Sequence, residues 1–267
     1  MRLLWLLCGL AVALAAAPAA LGATAALPAS GYIVFLDRDG SGLTQVRDKA
    51  TGRVVWSEAD LPSGGNAGDP CTDSHHANLG ASWKTFEPFT INAATVPSDL
   101  RRSAAVADLV AAARAWESPF FTDCPNVPGT SSYEVVYGGT TSADASLLGL
   151  ASDGANVVEF RSLAGTICDA PDVLGCTIVD YTKGRINEAD MVFESDLERT
   201  GFPGLWTTSS TTDATHLAIS DAATHEFGHF AGLDHVNNSP ELTMFPIVSD
   251  GAETLGLGDM KGLLALY

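Results

Sequence analysis

The residues best suited to chemistry lie together near the C-terminus: His225-Glu226-Phe227-Gly228-His229-Phe230-Ala231-Gly232-Leu233-Asp234-His235. The run fits the spacing H-E-x-x-H-x-x-G-x-x-H at every fixed position. On a helix, His225 and His229 stand one turn apart on the same face, so both imidazoles reach a single ion. Glu226 follows the first histidine, where its carboxylate touches a water beside the ion without ligating the ion itself. Gly232 takes a positive φ at low cost, so the helix stops there and the chain reverses. That reversal returns His235 as a third ligand. Three neutral imidazoles leave a tetrahedral zinc one open position, the pattern of a catalytic rather than a structural site. Water at that position gains a pKa near neutrality and becomes a hydrolytic nucleophile, with Glu226 as its general base. The competing readings are a helix decorated with surface histidines and a zinc site that has lost catalysis. The intact Glu226 argues against the second.

These side chains need a frame. Residues 217–232 read as the helix carrying the motif, and residues 257–266 as a final helix. Upstream, Pro97-Ser98 opens another helix, with Val106, Leu109, Ala113 and Trp116 spaced three or four apart on one face. Strands are expected at Phe89–Asn92, Tyr133–Tyr137, Val157–Phe160, Cys176–Tyr181 and Glu188–Phe193. Residues 31–60 read as β structure, from Tyr32–Leu36 to Arg53–Trp56. A linker-like stretch, Pro62–Gly68, follows them. The expected fold is α+β, with a twisted mixed sheet of about five strands, three main helices and a short β-rich N-terminal segment.

Composition narrows the class. With 46% hydrophobic residues among 267, the chain is too apolar for disorder and large enough for a real core. A net charge of −18 repels phosphate and argues against nucleic-acid partners; it reads as a solvating surface. Arg2, the apolar run Leu3–Ala17, Pro18 and the small residues after it describe a secretory signal peptide over 1–25. The run falls short of the roughly 20 residues a membrane span needs, and no later segment supplies them. A lipid anchor through Cys8 is weak because Leu7 precedes it. Secretion without a stable membrane anchor is therefore expected.

Losing Cys8 leaves Cys71, Cys124, Cys168 and Cys176, an even set for an oxidising compartment. Three pairings are open. Cys168–Cys176 with Cys71–Cys124 is favoured on proximity. The stretch Asp37–Asp48 approximates a calcium loop, with oxygen-bearing residues at Asp37, Asp39 and Ser41, Gly42 sixth and Asp48 twelfth. The preferred reading is a plain hairpin turn, since the flanks look like strands. His75 and His76 read as exposed loop histidines.

At the zinc motif the sequence resembles the metzincin metallopeptidases, and most closely the matrixin-type members, including small secreted bacterial ones. Ser239–Pro246 is similar to the family's Met-turn, with Met244 beneath the metal. Asp259–Tyr267 looks like the closing helix of matrixins, whose aspartate anchors that turn. Arg185–Phe193 is similar to the strand before the zinc helix. The resemblance covers roughly residues 80–267. It implies a zinc endopeptidase that hydrolyses peptide bonds of extracellular proteins. The substrate would lie along an edge strand near Leu174–Tyr181, and Phe245 and Pro246 would wall the pocket after the scissile bond.

There are departures. Val236 stands where matrixins usually carry Ser, the Met-turn loop is a residue longer, and Pro246 replaces the tyrosine ligand of astacins. Only His216 lies where vertebrate matrixins hold a second zinc. Cys71 lacks the motif of a cysteine latency switch. The implied division is a signal peptide (1–25), a β-rich extension or pro-segment (26–70) and a catalytic domain (71–267), acting on protein or peptide substrates as a monomer. The rival functions are a secreted zinc module that binds without cleaving and a peptidase that processes a single partner.

Overall fold

A computed structural model describes residues 27–267 apart from 39–40, 61–67, 87, 171 and 249. The stretch expected to be a signal peptide falls outside the described residues, as do Asp39 of the calcium-loop reading and most of the linker stretch.

In chain order the elements are β1 (Ser30–Arg38), β2 (Ser41–Asp48), β3 (Val54–Asp60), β4 (Ala77–Asn78), β5 (Phe89–Ile91) and α1 (Arg102–Arg114). Then come β6 (Tyr137–Thr140), β7 (Asn156–Arg161), β8 (Val173–Thr182), β9 (Arg185–Glu194), β10 (Leu205–Thr207) and β11 (His216–Ala218). The chain ends with α2 (Ile219–Ala231), β12 (Leu233–Asp234) and α3 (Leu257–Leu266). The α+β reading holds, with three α-helices and a mixed sheet among the described residues.

The sheet is larger than expected. Its eight strands run β3-β2-β1-β8-β9-β7-β5-β6. The five expected strands occupy one side, from β8 to β6, and the three N-terminal strands the other. The N-terminal segment is not a separate appendage: β1 pairs antiparallel with β8 and joins the same sheet. Strand β8 is therefore not an edge, contrary to the sequence expectation for 174–181. It is hydrogen-bonded to β1 on one side and β9 on the other. Every residue of β8 is buried except Thr182, as expected of a strand covered on both faces.

Alternation along β1 explains why it fits. Ile33 and Phe35 enter the core shared with the helices. Tyr32, Val34 and Leu36 face the opposite way and pack with Leu147, Val157 and Cys176. Two boundaries differ from the sequence reading. Leu217 and Ala218 pair in β11 before α2 begins. The strand expected at 133–137 starts only at Tyr137, because buried Tyr133 instead packs edge-on against Phe86. The cysteines pair as favoured, Cys71–Cys124 and Cys168–Cys176. No helix among the described residues is long and apolar enough to cross a membrane.

On the sheet face away from α2, the Asp190 carboxylate accepts hydrogen bonds from Leu147 N at 2.9 Å and Val157 N at 2.8 Å. Burial, reinforced by the nearby Glu188 and Asp153, pushes it up to about 7 from an ordinary value of 3.8. Its folded form thus holds a proton more tightly than its unfolded form. The stability this contributes is complete below about pH 4 and is lost as pH rises towards 7. A carbon-13 carboxyl titration should place the Asp190 midpoint near 7. A midpoint near 4 would contradict the burial argument.

Candidate metal centre

Helix α2 presents His225 and His229, and Gly232 ends it. The Gly232 φ is +104°, and a side chain there would collide with the Ala81 carbonyl. The chain turns through β12 and delivers His235. The reversal is then held by Val236 N donating to Met244 O at 2.9 Å. Below it, Met244 is buried against Gly228 of α2. The Asp259 carboxylate at the start of α3 accepts from the amides of Thr243 at 2.9 Å and Met244 at 3.1 Å. Gly232→Ala should cost about 2–4 kcal/mol in unfolding free energy, since the backbone strain and the clash add. Denaturant melts of the two proteins would measure this, and a loss under about 0.5 kcal/mol, that of an ordinary surface change, would contradict it.

The three imidazoles are oriented from behind. His225 Nδ1 donates to Thr243 O at 2.6 Å and His229 Nδ1 to Leu233 O at 3.0 Å. The Thr44 hydroxyl donates to Asp234 Oδ1 at 2.9 Å and lies 3.4 Å from His235 Nδ1. With Nδ1 carrying the proton, the Nε2 lone pairs point at one another. They converge to 3.1 Å between His225 and His229 and 3.1 Å between His229 and His235. Burial pushes the His229 imidazole down to about 4, so it stays neutral. Unprotonated nitrogens facing each other this closely repel unless a cation lies between them. The donor set therefore fits a metal ion.

A fourth donor was not foreseen. Asp37, next to the end of β1, has Oδ1 2.9 Å from His225 Nε2 and 2.5 Å from His235 Nε2. Its Oδ2 lies 3.5 Å from His229 Nε2. The four residues are all buried, and their donor atoms lie within 4.8 Å of one another, a group able to hold a metal ion. Burial alone would raise the Asp37 carboxyl, but the three imidazoles together outweigh it and hold it well below the usual range. The ring of Phe35 stacks on His229, with centroids 4.0 Å apart and planes 10° from parallel. The only trace of this in the sequence is alternation, since Asp37 falls on the same strand face as Ile33 and Phe35. The calcium-loop reading is corrected accordingly. Asp37 faces the histidines, and Asp48 instead accepts from Thr51 N at 2.8 Å in the turn after β2.

Glu226 lies beside the cluster and is buried. Its carboxylate accepts a very short hydrogen bond from the Thr177 hydroxyl on β8. Burial, with Asp37 close by, pushes the Glu226 carboxyl well above its ordinary range, and Thr177 pulls it the other way. Gly175 leaves the space that carboxylate fills, because a side chain there would overlap it. Neither β8 residue's part is legible in the sequence. Phe245 and Pro246, expected to wall a pocket, are buried. Pro246 Cβ sits 2.8 Å from the place a side chain on Gly42 would take, so that wall meets the N-terminal hairpin.

The other histidines stand apart. His75 is exposed and bonded to Asp73 at 2.6 Å, and His76 is exposed beside Ser74 O at 3.0 Å. His216 is exposed next to Thr215 and Asp213. No protein-family model matches the chain, and a search of curated proteins finds no significant relative.

Proposed function

We propose that the chain is a secreted zinc-dependent endopeptidase of the metzincin, matrixin-like kind. The observation that carries this reading is the convergence of three Nε2 atoms beside the Glu226 carboxyl, on a helix ended by a left-handed glycine. Secretion is supported by the N-terminal sequence and by the two disulfides.

His225, His229 and His235 would hold the metal. When bound, zinc would supply Lewis acidity towards a scissile carbonyl and towards a water. The protein's own groups do the rest. Glu226 takes a proton from the attacking water and returns one to the leaving amine. Thr177 fixes the carboxylate and Gly175 gives it room.

A second reading rests on Asp37. Four protein donors make a closed set, as in structural zinc sites. On that reading the chain binds metal and a partner without cleaving anything. Zinc content and cleavage of a peptide library, measured on the full chain and on its Asp37→Ala variant, separate the two. Metal retained with no peptide cut favours the non-catalytic module.

A further inference from the structure

We propose that the groove between α1 and the segments 119–121 and 253–255 binds a small organic molecule carrying a primary ammonium on an apolar body. None of the metal donors lines this groove, so its occupancy is separable from peptide cleavage.

The space comes from the sequence of α1. Ala107, Ala111 and Ala115 recur at every fourth position, so they share one stripe of the helix and its C-terminal cap. Their small side chains leave a hollow of about 970 Å³, in the range of small-molecule sites. Val106 and Val110 flank the stripe and are half-buried. Phe121 also lines the groove and is 56% exposed, although it is a large apolar ring. The remaining wall is held in place by hydrogen bonds. Leu255 N donates to Phe121 O at 2.9 Å, and the Thr122 hydroxyl donates to Leu255 O. Glu253 N donates to Oδ1 of the fully buried Asp221 at 3.1 Å.

The polar groups on the lining are acceptors that lack donors. Among the described residues, no ion pair includes Asp108, Glu253 or Arg114, the one cationic side chain of the lining. Asp108 Oδ2 and Ser220 Oγ are both shut off from water with no hydrogen-bond partner among the described residues. Buried polar atoms are normally bonded, so two on one lining mark a place where a donor belongs. Burial, with Glu253 adding to it, pushes the Asp108 carboxyl up to about 6 from 3.8. A cation beside it would reverse that shift. A primary ammonium brings three N–H donors and a full charge, which suits two carboxylates and a hydroxyl together. A bare metal ion would leave the alanine stripe and the Phe121 ring unused.

The probe is phenethylamine, followed through the amide shifts of the full chain at about pH 7, where the amine is protonated. Shifts should gather on α1 and residues 251–255 and saturate with a Kd below about 1 mM. Phenethyl alcohol keeps the body without the charge, and phenethyltrimethylammonium keeps the charge without N–H donors. Each should bind at least about tenfold more weakly. In saturating amine, the carbon-13 midpoint of Asp108 should fall from about 6.

Asp108→Asn should weaken the amine about 10- to 100-fold, the value of a hydrogen bond to a charged group. Its carboxylate has no partner to lose, so the variant should melt no lower than the parent. Glu253→Gln should weaken the amine in the same direction, and Phe121→Ala should do so severalfold through lost ring contact. Equal binding of the alcohol, unchanged binding in both carboxylate variants, or no saturable shift by about 10 mM amine overturns the proposal. Calcium displacing the amine at equal concentration overturns it in favour of an ion site. A lysine peptide that binds here when phenethylamine does not overturns it in favour of a protein-docking surface.

Discussion

Glu226→Ala should lower peptide turnover about 100- to 10,000-fold while the zinc content of the protein stays unchanged. The separation is expected because the metal donors are the three imidazoles, and Glu226 lies beside them. On the peptidase reading its role is proton transfer, and a positioned general base contributes factors of this size. Glu226→Gln makes the comparison sharper. It keeps the side-chain volume and an acceptor for the Thr177 hydroxyl, so the site stays filled while the basicity is lost. Metal analysis and kcat on the same samples provide the check. Turnover within a few-fold of the parent in both variants would mean that Glu226 is not the base.

Removing the Cys71–Cys124 disulfide by double replacement with serine should cost about 4 kcal/mol, from the entropy of closing a loop of 53 residues. For a chain of this size that lowers Tm by roughly 8–16 °C. The bond also clamps the start of the body to the region that receives α3. Leu257 N donates to Pro70 O at 2.8 Å, next to Cys71. Leu255 N donates to Phe121 O at 2.9 Å, close to Cys124. Helix α3 carries Asp259, and Asp259 holds the turn bearing Met244. Zinc affinity should therefore weaken along with stability. The shorter loop closed by Cys168–Cys176 should matter less, by about 2–3 kcal/mol. Equal melting shifts for the two removals would contradict the loop-length account.

The sequence disclosed local features well and long-range pairing poorly. Spacing alone placed His225 and His229 on one helical face, because a helix enforces that neighbourhood within a single turn. The stop at Gly232 was readable for the same reason, since a positive φ is a property of one residue. The Cys71–Cys124 pairing could only be favoured, yet proximity chose correctly. What stayed hidden lies across the sheet. Nothing in Tyr32–Leu36 says that its partner is Cys176–Asp180 rather than another strand, because apolar alternation fits many neighbours. Asp37 therefore looked like a turn residue, although it lies with histidines almost two hundred positions away. The same limit concealed Thr177 and Gly175, whose meaning comes from a carboxylate on a distant helix. A motif names its ligands; the groups that cover and aim them are settled by strand register.

The two-sided pairing of β8 has a consequence for handling. While β1 is in place, the outer edge of the sheet is β3, which carries Glu58 among its exposed residues. Once β1 leaves, the outer edge becomes β8, a ten-residue strand otherwise buried nearly throughout. A long apolar edge of that kind invites pairing with other chains. Without β1 the body would be prone to clumping, so the N-terminal strands keep that edge covered and the molecule dispersed.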